Sequence, residues 1–100
     1  MKQITPQELK AKIDNKEDFE LIDVREIYEY EDYNINGKHI PLGEVMNNLD
    51  KIDTSKPVIF CCNSGKKSRA ITIAVTKKLN SDNIYSLVGG VTNYYTEIEA

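Results

Sequence analysis

Two cysteines stand side by side at Cys61 and Cys62, and from the second of them the chain reads Cys62-Asn63-Ser64-Gly65-Lys66-Lys67-Ser68-Arg69. A thiolate is a strong nucleophile near neutral pH, provided that something stabilises its negative charge. An apolar run, Val58-Ile59-Phe60-Cys61, ends at the thiol, and a polar, basic loop leads from it into a helical pattern. Such a strand-loop-helix junction gathers backbone N–H groups where a helix begins, which favours anions and the ionised form of a thiol beside it. Gly65 lets the loop curl so that the N–H groups of residues 63 to 67 converge. Lys66, Lys67 and Arg69 add positive charge to the same spot. Cys62 is therefore the candidate nucleophile, and Asn63, Ser64, Gly65, Lys66, Lys67 and Ser68 are the candidate anion cradle. Cys61 falls in the strand. A disulfide between neighbours closes a strained ring that constrains almost no chain, so the pair reads as two reduced thiols, which fits the cytosol.

Other chemistry-bearing residues are sparse. Asp23 and Arg25 follow the apolar run Phe19-Glu20-Leu21-Ile22-Asp23-Val24, at the strand end where open α/β sheets bind ligands. Arg25 is a candidate substrate contact, whereas Asp23 reads as a residue that positions a neighbouring loop. The single His39 reads as a surface or internally satisfied residue, and the tyrosine-rich segment from Tyr28 to Tyr33 as a cap on the core. No spacing suits a metal, and the chemistry of the loop calls for no organic cofactor.

The elements that must hold the loop follow from the rest of the chain. Thr5-Pro6-Gln7-Glu8 has the N-cap hydroxyl, first-turn proline and carboxylate of a capping box, so a helix starts there with Leu9 and Ile13 on its buried side. Phe19 to Val24 reads as a buried strand, Glu26 to Tyr33 as a short peripheral helix, and Asn34 to Pro41 as turn, brief strand and turn. Leu42, Val45, Met46 and Leu49 predict a further helix of about two turns. Pro57 opens the strand Val58 to Cys61. Ala70, Ile71, Ala74, Val75 and Leu79 mark one face of the helix after the loop, which ends near Asn80. Asn83 to Val88 is the last strand; Gly89-Gly90 breaks it, and Val91, Tyr94, Tyr95 and Ile98 form the stripe of a closing helix. Strands alternating with helices imply an α/β sandwich with a largely parallel sheet.

Composition bounds the partners. The 100 residues, 40% of them apolar, suit one domain spanning residues 1–100. A net charge of -3 argues against a nucleic-acid binder, since nothing supplies the basic surface that a run of phosphates needs. No apolar run is long enough for a membrane span and the N-terminus lacks a signal-peptide core, so the expected location is cytoplasmic.

With the landmarks Leu21-Ile22-Asp23-Val24-Arg25-Glu26, Gly37-Lys38-His39-Ile40-Pro41-Leu42-Gly43, Cys62 to Ser68 and Leu87-Val88-Gly89-Gly90 in this order, the sequence resembles the rhodanese-like sulfurtransferase family over nearly its whole length. The resemblance implies a three-layer sandwich with a five-stranded, mostly parallel central sheet flanked by helices, the catalytic loop leaving the central strand. It assigns Cys62 as the carrier of a persulfide, loaded from thiosulfate or a protein persulfide and discharged to a thiol or cyanide. Two positions depart from the family pattern. Lys67 stands where the loop usually has arginine, which replaces a bidentate fork by a point charge, and Tyr94 stands where tryptophan is frequent. A phosphatase uses a related loop, and Cys61 to Lys67 mimic its C-x5-R spacing, but the arginine fork that grips phosphate is missing. The other alternative is a non-catalytic binding module that keeps the fold alone.

Overall fold

Thr5 starts the first helix as its sequence requires: its hydroxyl accepts from the Glu8 N–H at 3.1 Å and the Glu8 carboxylate accepts from the Thr5 N–H at 2.9 Å. The computed structural model describes residues 1–100. In chain order these form β1 (Lys2–Ile4), α1 (Pro6–Asp14), β2 (Glu20–Asp23), α2 (Ile27–Asp32), β3 (Lys38–His39), β4 (Val58–Cys61), α3 (Lys66–Leu79), β5 (Ile84–Leu87) and α4 (Gly90–Tyr94). The last helix widens into a π-helical turn over Tyr95–Glu99. The five strands lie in the order β1-β5-β4-β2-β3, and every pairing is parallel.

The central strand β4 is buried along its whole length, which is why it reads as an uninterrupted apolar run rather than an alternating one. Its side chains alternate between two core layers. Val58 and Phe60 pack with Ile22, Val24, Ile71 and Val75 on the α3 side. Ile59 and Cys61 pack with Ile4, Leu9, Leu87, Val91 and Tyr94, in the layer that α1 and α4 cover. Cys62, one residue on, belongs to the α3 layer. The strand period of two thus sends the adjacent thiols to opposite sides of the sheet.

Three expectations need correction, and one strand of the expected five has no place among the elements read from the sequence. The fifth strand, β1, lies at Lys2–Ile4, where only Ile4 is buried and three residues are too few to display a period. The two-turn helix expected around Leu42 to Leu49 is instead two 3-10 turns, Leu42–Glu44 and Leu49–Lys51. Gly43 weakens a helix there, and the Asn48 amide donates to the Glu44 carbonyl at 2.7 Å, so Val45 is buried while Met46 faces solvent. On α3 the buried face is Ser68, Ile71, Thr72 and Val75, with Ala70 exposed, because the polar end of the helix turns toward the loop. Ile13 and Tyr95 lie on exposed sides of their elements; Tyr95 meets the edge of Tyr33 with ring centroids 5.3 Å apart.

Candidate active site

The chain leaves the end of β4 at Cys62 and turns back over its own thiol. Gly65, with φ of 98°, makes that turn and serves as the N-cap of α3. No L side chain sits easily at such a φ, and an added Cβ would lie 3.2 Å from the Gly89 nitrogen. The turn aims the Gly65 N–H at Cys62 Sγ at 3.1 Å and the Ser68 N–H at the same atom at 3.3 Å. The expected donors were residues 63 to 67; the first turn of α3 carries the set one residue further. Ser68 Oγ lies 3.6 Å from Sγ, donates to the Gly65 carbonyl at 3.1 Å and contacts Ser86 Oγ of β5 at 2.8 Å. Sγ is therefore held by fixed dipoles that stabilise negative charge on it without reorganising.

Cys61 sits in a different environment. It is fully buried, and burial together with the charge of Asp23 pushes its thiol well above the ordinary range. Such a thiol stays protonated and inert.

Arg25 reaches the loop from β2. Its Nε donates to both Asp23 carboxylate oxygens at 3.0 and 3.1 Å, and Nη2 donates to Oδ2 at 2.8 Å and to the Tyr33 carbonyl at 2.6 Å. Burial works against the guanidinium charge, but the hydrogen bonds and charge of Asp23 more than offset it, and Arg25 is held cationic. The remaining nitrogen, Nη1, donates to Asn63 Oδ1 at 3.3 Å. Asn63 in turn donates from Nδ2 to the Glu29 carboxylate of α2. The residue that follows the nucleophile is thus clamped between β2 and α2. Asp23 has the positioning role expected of it. His39 is also satisfied internally, with Nε2 2.7 Å from the Arg25 carbonyl and its ring stacked on Tyr30 at 4.9 Å.

These side chains surround a pocket of about 280 Å³ lined by Arg25, Glu29, Cys62, Asn63, Ser64, Lys66 and Lys67. Gly65 and Ser68 are buried against Cys62. All eight residues that the sequence marks are thus brought together. Lys66 and Lys67 are exposed and free of ion pairs, so their charge is available to a ligand. A larger hollow of about 890 Å³, bordered by Met1, Thr54 and Asn83, lies by the amino ends of the strands and contains no cysteine.

Three participants escape sequence reasoning. Glu29 sits in the segment that reads as a short peripheral helix capping the core, with nothing to single out one of its acids. Ser86 occupies a strand position that gives no hint of the hydroxyl beneath it. Gly90 is visible as a strand breaker, but its role is a close approach: a Cβ there would lie 2.3 Å from the Asn63 carbonyl oxygen and 2.4 Å from that of Cys62. Because no side chain intervenes, the Val91 N–H donates to the Cys62 carbonyl at 2.8 Å and the Thr92 N–H to that of Asn63 at 3.2 Å. The start of α4 thereby braces the loop.

Comparison with known proteins agrees with this fold. A family model described as Rhodanese-like domain matches residues 5–97. A Bacillus subtilis protein with the provisional name sulfur carrier protein YrkF is 32% identical over 97% of this chain, which spans only 52% of that relative's length. Thiosulfate sulfurtransferase GlpE of Coxiella burnetii is 30% identical over 75% of the chain and 70% of the relative. Among solved structures, a rhodanese-related protein from Thermoplasma volcanium superposes with a TM-score of 0.84 at 23% identity, covering 100% of this chain and 96% of that one.

Proposed function

The chain belongs to the rhodanese-like domain family, and from that premise we propose that it is a sulfurtransferase which carries sulfane sulfur as a persulfide on Cys62. The observation that carries this reading is the pair of N–H donors converging on Cys62 Sγ at the floor of a pocket walled by Lys66 and Lys67. The Cys62 thiolate attacks the outer sulfur of thiosulfate or of a protein persulfide. A new S–S bond forms as the old one breaks, and sulfite or the donor thiolate leaves with the electron pair. In the second step an acceptor thiolate or cyanide attacks the outer sulfur of the Cys62 persulfide, and Cys62 departs as thiolate. Both steps put negative charge in one small volume, where the Gly65 and Ser68 N–H groups and the two lysines oppose it. Neither step consumes a metal or an organic cofactor. Arg25 contributes through Asn63, by fixing that side chain at the pocket wall. The reduced thiols that this chemistry needs suit a cytoplasmic location; no helix is long and apolar enough to cross a membrane.

Intact mass spectrometry after incubation with thiosulfate tests the reading. The wild type and Cys61→Ala are expected to gain one sulfur atom, and Cys62→Ser none. A wild type that gains nothing, or a gain that follows Cys61, would sink it.

A further inference from the structure

The pocket holds one carboxylate, Glu29, among three basic residues. Glu29 rises from α2 and meets Asn63, as Arg25 does, while Lys66 and Lys67 border the pocket from the first turn of α3. Arg25 also lines the pocket, but its charge is offset at close range by the buried Asp23 and further by Glu29, which helps to hold it cationic, so the field a ligand meets is set chiefly by the two lysines and Glu29. Glu29 is anchored in place: one oxygen accepts from the Glu26 N–H at 3.1 Å and the other from the Asn63 amide, next to the nucleophile. For a small dianion the clamp on Asn63 comes with a repulsive charge in the same pocket.

We infer that Glu29 is a specificity-determining residue, selecting sulfur donors and acceptors that carry a cationic group near the reacting sulfur over purely anionic ones. The inference rests on the sulfurtransferase reading and deepens it. A thiol bearing an ammonium group places that group against Glu29 while its sulfur approaches Cys62. Thiosulfate, a dianion, meets the lysines but is repelled by Glu29. The carboxylate does not enter the covalent steps. It acts on the binding of each substrate through the space, and its influence falls with ionic strength.

The test compares Glu29→Gln, which keeps side-chain length and one acceptor oxygen, with Glu31→Gln, which removes an equal charge from the same helix at an exposed position outside the pocket. Thiosulfate with cyanide reports the KM for an anionic donor. Single-turnover discharge of loaded Cys62 to cysteamine and to mercaptoacetate reports the preference between a cationic and an anionic thiol. At low ionic strength Glu29→Gln is expected to lower the thiosulfate KM by about three- to tenfold, with turnover changed less, and to lower the cysteamine-to-mercaptoacetate rate ratio by a similar factor. Both effects should shrink in high salt, and Glu31→Gln should show neither. Equal effects from the two variants would reduce Glu29 to general charge and overturn the inference. So would an unchanged ratio in Glu29→Gln that still loads Cys62 with sulfur. If no variant and no wild type loads sulfur at all, the sulfurtransferase reading itself has failed, and this inference with it.

Discussion

Arg25 and Asp23 are buried together under the pocket, with side chains 5% and 1% exposed, and at this depth an unpaired charge is costly. Their pairing is satisfied from every side, since the backbone N–H of Arg25 also donates to Asp23 at 3.0 Å. Removing one partner strands the other. Arg25→Ala should therefore destabilise the protein by about 3–5 kcal/mol, read by chemical denaturation. Removal of Asp23 as well should restore part of the loss, because the stranded carboxylate goes with it. A cost below about 1 kcal/mol for Arg25→Ala would mean that water reaches Asp23 and that the pair is not the strut described above.

At the level of elements, the nucleophile loop is held by the start of α4 as much as by the strand it leaves. The carbonyls of Cys62 and Asn63 would otherwise be loop acceptors in search of donors, and the first turn of α4 has unpaired N–H groups to give. Gly90 makes the approach possible, with φ of 70° and no side chain to intrude. Gly90→Ala combines an unfavourable φ with contacts that push α4 off the loop. It should cost more than about 1 kcal/mol of stability, and persulfide loading of Cys62 should slow by a larger factor than the unfolded fraction explains. Thermal melts and loading rates measured on the same sample check this. Loading at the wild-type rate would show that the loop keeps its shape without the brace.

Across the whole molecule, β4 belongs to both core layers, so neither layer can loosen alone. Phe60 is fully buried in one layer, and Cys61, fully buried in the other, follows it directly. Phe60→Ala should cost about 3–5 kcal/mol, a large share of the roughly 5–15 kcal/mol that holds a domain of this size. The loss should appear as one transition. With six tyrosines and no tryptophan, of which Tyr33, Tyr85 and Tyr94 pack in the layer under α1 and α4, tyrosine fluorescence reports on that layer and far-ultraviolet circular dichroism on the backbone of the whole sheet. Denaturation curves that separate between the two probes would show that the layers unfold independently.

What the sequence determined by itself is what neighbouring residues can impose on each other. The Thr5-to-Glu8 capping box, the buried run into Cys62, the turn at Gly65 and the clustering of Lys66 and Lys67 are local in this sense. Each reads the same in one dimension as in three, and together they made the family, the parallel sheet and the whole loop legible. Closure of the sheet decided the rest. It brought Glu29 to Asn63 across 34 positions of chain and Ser86 beneath Ser68 across 18. It tied the Arg25 guanidinium to Asp23 and Tyr33, and found in Lys2–Ile4 a partner for β5. None of these has a periodicity or a propensity to announce it. Such contacts depend on strand order and register, which are set by how both faces of the sheet bury their apolar side chains at once.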